Sequence, residues 1–140
     1  MTYTIKDISK MFGLSIYTIR FYDKEGLLPF VLRNKSGNRV FTESDISLFR
    51  TICCLKNTGM QLKDIKKYID FCMEGASTID LRKKLLLEHQ EVILGQISDL
   101  NENLDLIRSK IDKYSSPDAV QIINADRKKV HDEKRENNLL

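Results

Sequence analysis

Four residues of one short stretch have the types and the spacing to work on a polyanion. Tyr17, Arg20, Phe21 and Lys24 lie at i, i+3, i+4 and i+7, so on a helix they form one continuous stripe. A stripe mixing aromatic rings with cations suits neither a core nor an ordinary solvated face. It suits a surface that meets phosphates and base edges. Just behind it, from Gly26 to Phe41, there is no acidic residue, yet Arg33, Lys35 and Arg39 are all present.

Other chemistries fit less well. His89 and His131 are the only histidines and no cysteine follows Cys72, which leaves no donor set for a soft metal. Cys54 and His89 could be imagined as nucleophile and base, but no oxyanion or phosphate-loop signal accompanies them. His89, flanked by Glu88 and Gln90, reads as a solvated surface histidine. We expect no enzyme, no catalytic residue, no cofactor and no metal.

The elements that must position these residues follow from caps and periodicity. Thr4-Ile5-Lys6-Asp7 is a helix start, Ile5, Ile8, Met11 and Phe12 follow at helical spacing, and Gly13 ends that helix. Ser15 caps a second helix reaching about Glu25, and the pair, over about residues 4–25, reads as a helix-turn-helix. Its Ile16 and Ile19 point to the core, with Asp23 on their side. Phe30–Arg33 and Arg39–Phe41 flank an Asn/Ser/Gly-rich turn and read as a hairpin, a wing over about residues 28–41. Helices are expected from Glu43 to about Thr58 and from about Leu62 to Glu74.

From Ser77 on, one long helix is expected. Leu86, Ile93, Ile97, Leu100, Leu104, Ile107, Ile111 and Tyr114 lie on a single seam, spaced alternately four and three residues from Ile93 onward. So narrow a seam is a coiled-coil signal. At roughly 55 Å the helix is longer than residues 1–75 can cover, so a second copy is its expected partner. Residues 116–140 read as a polar, mobile tail with one helical turn around Ala119–Ile123.

The fold class expected is therefore mainly α, with a DNA-binding domain at 1–75, a dimerisation helix at 76–115 and the tail at 116–140. The distribution of charge allows this, though charge alone favours an ordinary solvated surface of mixed sign. The chain of 140 residues has a formal net charge of +3. Residues 1–75 hold twelve Lys and Arg against eight Asp and Glu, whereas 116–140 hold five of each. There is no secretory pattern and no apolar run able to span a bilayer. A cytoplasmic protein with free thiols at Cys53, Cys54 and Cys72 is expected. A coiled-coil adaptor that does not touch DNA is the rival reading, and it leaves the acid-free wing unexplained.

The stretch TIRFYDKEGLLPFVLRNKSGNRVF, Thr18 to Phe41, resembles the signature of the MerR family of bacterial transcription regulators. The matching positions are Thr18, Ile19, Arg20, Phe21, Tyr22, Gly26, Leu27, Pro29, Arg33, Gly37, Arg39 and Phe41. Asn38 and Phe41 depart from it, standing where the family usually or often has Tyr. The resemblance covers residues 1–114. It implies a homodimer with an antiparallel coiled coil, bound to double-stranded promoter DNA and distorting it for RNA polymerase. It places Arg20, Tyr22, Arg33 and Arg39 on DNA, with Ser15 and Tyr17 at the start of the second helix. With Thr18, Phe21, Lys24 and Lys35 these make up the expected DNA-binding set.

The signal is less legible. On the helix after the wing, Cys53 shares the apolar face with Ile46, Phe49 and Ile52, whereas Cys54 points away toward Ser47 and Arg50. Read from the residues alone, Cys54 is equally a sensor and an inert helix cysteine. The run CCLKNTGMQLKDI is similar to the short aldehyde- and electrophile-responsive branch of the family, which implies a sensor thiol at Cys54. A regulator that is constitutive or answers an apolar effector is the alternative within the family.

Overall fold

A computed structural model describes all 140 residues. In chain order the elements are β1 (Thr2–Tyr3), α1 (Ile5–Phe12), α2 (Ile16–Lys24), β2 (Leu32–Arg33), β3 (Arg39–Thr42), α3 (Glu43–Asn57), α4 (Leu62–Glu74), a 3-10 turn (Ala76–Thr78), α5 (Ile79–Ser115) and α6 (Ala119–Glu136). The protein is mainly helical with one small antiparallel sheet, ordered β1-β3-β2. The helix-turn-helix, the wing and the long helix are where the sequence places them. Strand β1 is an addition, pairing Thr2 with Thr42 and Tyr3 with Phe41.

The chain divides into two units, Met1–Ile93 and Leu94–Leu140, so the first extends past the boundary expected at residue 75. Its helices begin on side-chain caps. Thr4 and Asp7 exchange hydrogen bonds at the start of α1, and Thr42 and Asp45 do the same at α3, each satisfying donors that the first turn leaves free. The hydrogen bond that the Thr4 backbone N–H donates to the Asp7 carboxylate is the first cause that holds this carboxyl below the usual range. Gly13, with φ 64°, ends α1 in the left-handed region that favours glycine.

The core of this unit is built around Phe49. Its ring meets Phe12 edge-on at 4.8 Å, and Phe41 and Tyr22 both at 6.4 Å. Ile8, Ile19, Leu27, Phe41, Phe49, Ile52, Ile65 and Ile69 are fully buried. Those residues come from α1, α2, α3, α4 and the wing, so one apolar cluster holds together all the elements that carry the candidate site. At the corner after α4 the Arg82 guanidinium donates to the Gly75 carbonyl at 2.6 Å and to the Thr78 hydroxyl at 3.0 Å. The arginine serves a helix end whose last carbonyls lack helical partners.

His89 is not the surface residue expected. It is 8% exposed, and its Nε2 lies 2.7 Å from the Thr58 hydroxyl. That hydroxyl also lies 2.8 Å from the Cys54 carbonyl. The Thr58 hydroxyl thus links the C-terminal turn of α3 to His89, and the imidazole tautomer sets which of the two donates. The seam register hid this. Leu86 and Ile93 define the apolar stripe, while Leu85 and His89 lie on the neighbouring face, where Leu85 packs against the core of the first unit.

In the second unit the Lys113 ammonium pairs with the Asp126 carboxylate. The hydrogen bond from Lys113 is the first cause that holds the Asp126 carboxyl below its usual range. The single helical turn expected around Ala119–Ile123 is instead the 18-residue α6. Polarity argues against a buried core but not against a helix. Lys, Arg and Glu are good helix formers, and Lys128 and Asp132 form an i, i+4 pair at 3.9 Å. No helix of the chain is long and apolar enough to cross a membrane.

Candidate nucleic-acid interface

Helix α2 presents the expected stripe outward. Tyr17 is 79% exposed and Phe21 38%, with Arg20 and Lys24 exposed beside them. The opposite face is held by Ile19, which is fully buried. At the N-terminus of α2 the Ser15 hydroxyl accepts from the Thr18 backbone N–H at 3.0 Å and lies 2.9 Å from the Thr18 hydroxyl. Both hydroxyls are therefore part of the cap, at the end of the helix dipole that favours anions.

Tyr22 departs from the stripe. It is 6% exposed and packs on Phe49, and burial raises its phenol above the ordinary value. No buried side-chain oxygen of the protein lacks a partner, so its hydroxyl reaches the surface at the rim of the core. The ring is structural and only the hydroxyl is free to meet a ligand.

In the wing Leu32 pairs with Val40 and Arg33 with Arg39. The turn is fixed by the Asn34 carboxamide oxygen, which accepts from the Ser36 and Asn38 backbone N–H groups, both at 3.0 Å. Gly37, at φ 82°, supplies the left-handed residue such a turn requires. The three expected cations differ in circumstance. Lys35 is exposed at the tip. Arg33 is exposed but donates from Nη1 to the Gly37 carbonyl at 2.7 Å. Arg39 is half-buried, and its Nε donates to the Asp23 carboxylate at 2.6 Å.

Asp23 was legible only as a helix residue on the side of Ile16 and Ile19. Its partner lies 16 residues on, a separation to which no periodicity points. Phe41, which stands where a tyrosine was the expectation, is fully buried against Phe49.

The thiols also separate. Cys54 is exposed, whereas Cys53 and Cys72 are half-buried, and all three are free. Burial pushes the Cys53 thiol up to about 11. The Arg50 guanidinium, expected beside Cys54, lies over the Phe12 ring, 5.6 Å from its centre. No three His, Cys, Asp or Glu side chains come together as a metal site. The seam residues Ile97, Leu100, Leu104, Ile107, Ile111 and Tyr114 are each at least 40% exposed, Leu86 is 36% exposed and Ile93 is half-buried.

Comparison with known proteins bears on this arrangement. Residues 3–72 match the profile of the MerR HTH family of regulatory proteins. A Haemophilus influenzae HTH-type transcriptional regulator is 42% identical over 125 residues, which span 89% of this chain and 93% of that protein. Among solved structures, HiNmlR, a MerR family regulator lacking the sensor domain and bound to promoter DNA, superposes with a TM-score of 0.76. It is 43% identical, over 86% of this chain and 96% of the other. A MerR family transcriptional regulator from Bacillus thuringiensis is 47% identical with a TM-score of 0.75, over 81% of this chain and 100% of its own.

Proposed function

From the premise that the chain belongs to the MerR HTH family, as a DNA-binding transcription regulator, we propose that it binds a palindromic promoter site as a homodimer and activates transcription by distorting that DNA. The observation that carries this reading is the exposed stripe of Tyr17, Arg20, Phe21 and Lys24 beside an acid-free wing. Arg20 and Lys24, with the Ser15 and Thr18 end of α2, enter the major groove, while Tyr17, Phe21 and the Tyr22 hydroxyl line its edge. Arg33 and Lys35 reach flanking phosphates from the wing. That a MerR family regulator of similar length and 43% identity is known on promoter DNA supports this placement.

The dimer is proposed on the seam. Seven of its eight residues are solvent-exposed apolar side chains in the single chain, and an antiparallel partner helix would cover them. Two copies then present two recognition helices to two half-sites, with RNA polymerase as the partner at the promoter. For the signal, Cys54 is the candidate thiol for an aldehyde or other electrophile, because it alone of the three cysteines is exposed.

The test is binding of the purified protein to its own upstream promoter DNA, with transcription measured with and without an aldehyde or thiol oxidant, in wild type and Cys54→Ser. A Cys54-dependent gain in transcription is expected. Binding without any response removes the thiol signal and keeps the regulator. No binding at all removes the whole reading and restores the adaptor.

A further inference from the structure

We infer that Asp23 is a positioning residue for DNA recognition: it holds the wing to the recognition helix through Arg39, so this acidic side chain strengthens binding to a polyanion. The inference rests on the DNA-binding reading above and goes beyond it, since Arg39 is reassigned from a free phosphate contact to the wing's anchor.

Four observations lead there. Asp23 is the only acidic residue of α2, the helix that must approach phosphates, and a carboxylate there costs binding unless it has another role. Its side chain is 26% exposed and that of Arg39 only 15%, so the 2.6 Å pair is shielded from the solvent that makes surface ion pairs nearly worthless. The β2–β3 ladder consists of two residue pairs; β1 and the buried Phe41 hold the Phe41–Thr42 end of β3, which leaves the Arg39 end, nearer the turn, to be held by Asp23. Finally, Arg33 and Arg39 stand directly opposite each other in that ladder. Like charges across a ladder destabilise it, and Asp23 neutralises one of them.

The geometry therefore sets two distances at once. Asp23 comes one residue before the C-terminal end of α2, and Arg39 is the first residue of β3. Fixing one to the other sets where Lys35 and Arg33 fall relative to Arg20 and Lys24. Simultaneous engagement of groove and flanking phosphates depends on that offset, as any two linked contacts depend on matched geometry.

The experiment compares wild type, Asp23→Asn, Arg39→Met and the double variant. It measures affinity for the upstream promoter DNA and for unrelated duplex at several salt concentrations, together with the melting temperature. Asp23→Asn keeps size and polarity while removing the charge. It is expected to weaken promoter binding about tenfold, with affinity for unrelated duplex nearly unchanged. The salt slope of promoter binding should become shallower, since the phosphate contacts of Arg33 and Lys35 are no longer made together with those in the groove. The double variant should bind no more weakly than Arg39→Met alone, because both changes release the same anchor. Unchanged or tighter promoter binding by Asp23→Asn overturns the inference and shows Asp23 to be an ordinary repulsive charge. So does a fall in melting temperature that accounts for the lost binding while the promoter-to-unrelated ratio stays constant. A wild type that binds no duplex fails the DNA-binding reading itself, a result distinct from the other two.

Discussion

Residues 1–93 and the exposed seam of α5 use apolar side chains in opposite ways. In the first region thirteen hydrophobic residues are buried, and they come from every element that carries the candidate interface. Along the seam Ile97, Leu100, Leu104, Ile107, Ile111 and Tyr114 stay exposed in the single chain. The first pattern is explained by the chain alone. The second is a row of exposed apolar side chains with a strict period, the surface on which the dimer is proposed. The difference teaches how to read such a chain: an apolar residue that packs inward reports the fold, and one that repeats outward marks where an assembly is to be tested.

The comparison can be broken most forcefully on the seam. Ile97→Asp or Leu104→Asp is expected to give monomers in light scattering, with promoter affinity lower by about two to four orders of magnitude once the second half-site is lost. A dimeric variant would refute the assignment of the seam. Next comes the inward pattern. Phe49→Ala should destabilise the first region by about 3–5 kcal/mol, seen as a lower denaturation midpoint, with chemical cross-linking through the long helix retained in the folded fraction. Arg20→Ala should do neither. It should cost about 1–3 kcal/mol of promoter binding and leave both melting temperature and dimer intact, which places it on the outward, ligand-facing side.

The smallest effect sharpens the inward side. Burial raises the Cys53 thiol from 9.0 to about 11, so the folded state keeps its proton where the unfolded chain has lost it. The stability this contributes is complete below pH 9 and is lost as pH rises toward 11. Cys53→Ala should flatten the fall in stability between those values. In the same protein, a thiol alkylating agent at pH 8 should modify exposed Cys54 well before Cys53, which mass spectrometry of the digested protein would read directly.

Much of this was legible in the sequence because short-range rules govern it. The caps at Thr4 and Ser15, the glycine after α1 and the 3.6-residue stripes of α2 and α3 are local, and each matches the structure. What escaped depends on tertiary neighbours. His89 reads as polar and therefore exposed, yet a hydroxyl 31 residues earlier provides its hydrogen bond. Tyr22 lies beside the stripe in sequence but turns its ring into the core, because Phe49 leaves room there. Arg39 reads as one more cation, and only its contact with Asp23 separates it from Lys35. Helix α6 escaped for a different reason: its composition carries no apolar period strong enough to announce a helix.

The pairing of β1 with β3 has a consequence for how the protein is made. Tyr3 is synthesised before the Glu43 carboxylate that its hydroxyl meets at 2.6 Å, which lies 40 residues further along. At about 5–20 residues per second, the first strand waits roughly 2–8 s for its partner to be synthesised. During that interval α1 and α2 can already form from their own caps. Strand β1 is thus completed only when β3 emerges, and the central strand of the sheet is the last of the three to be made.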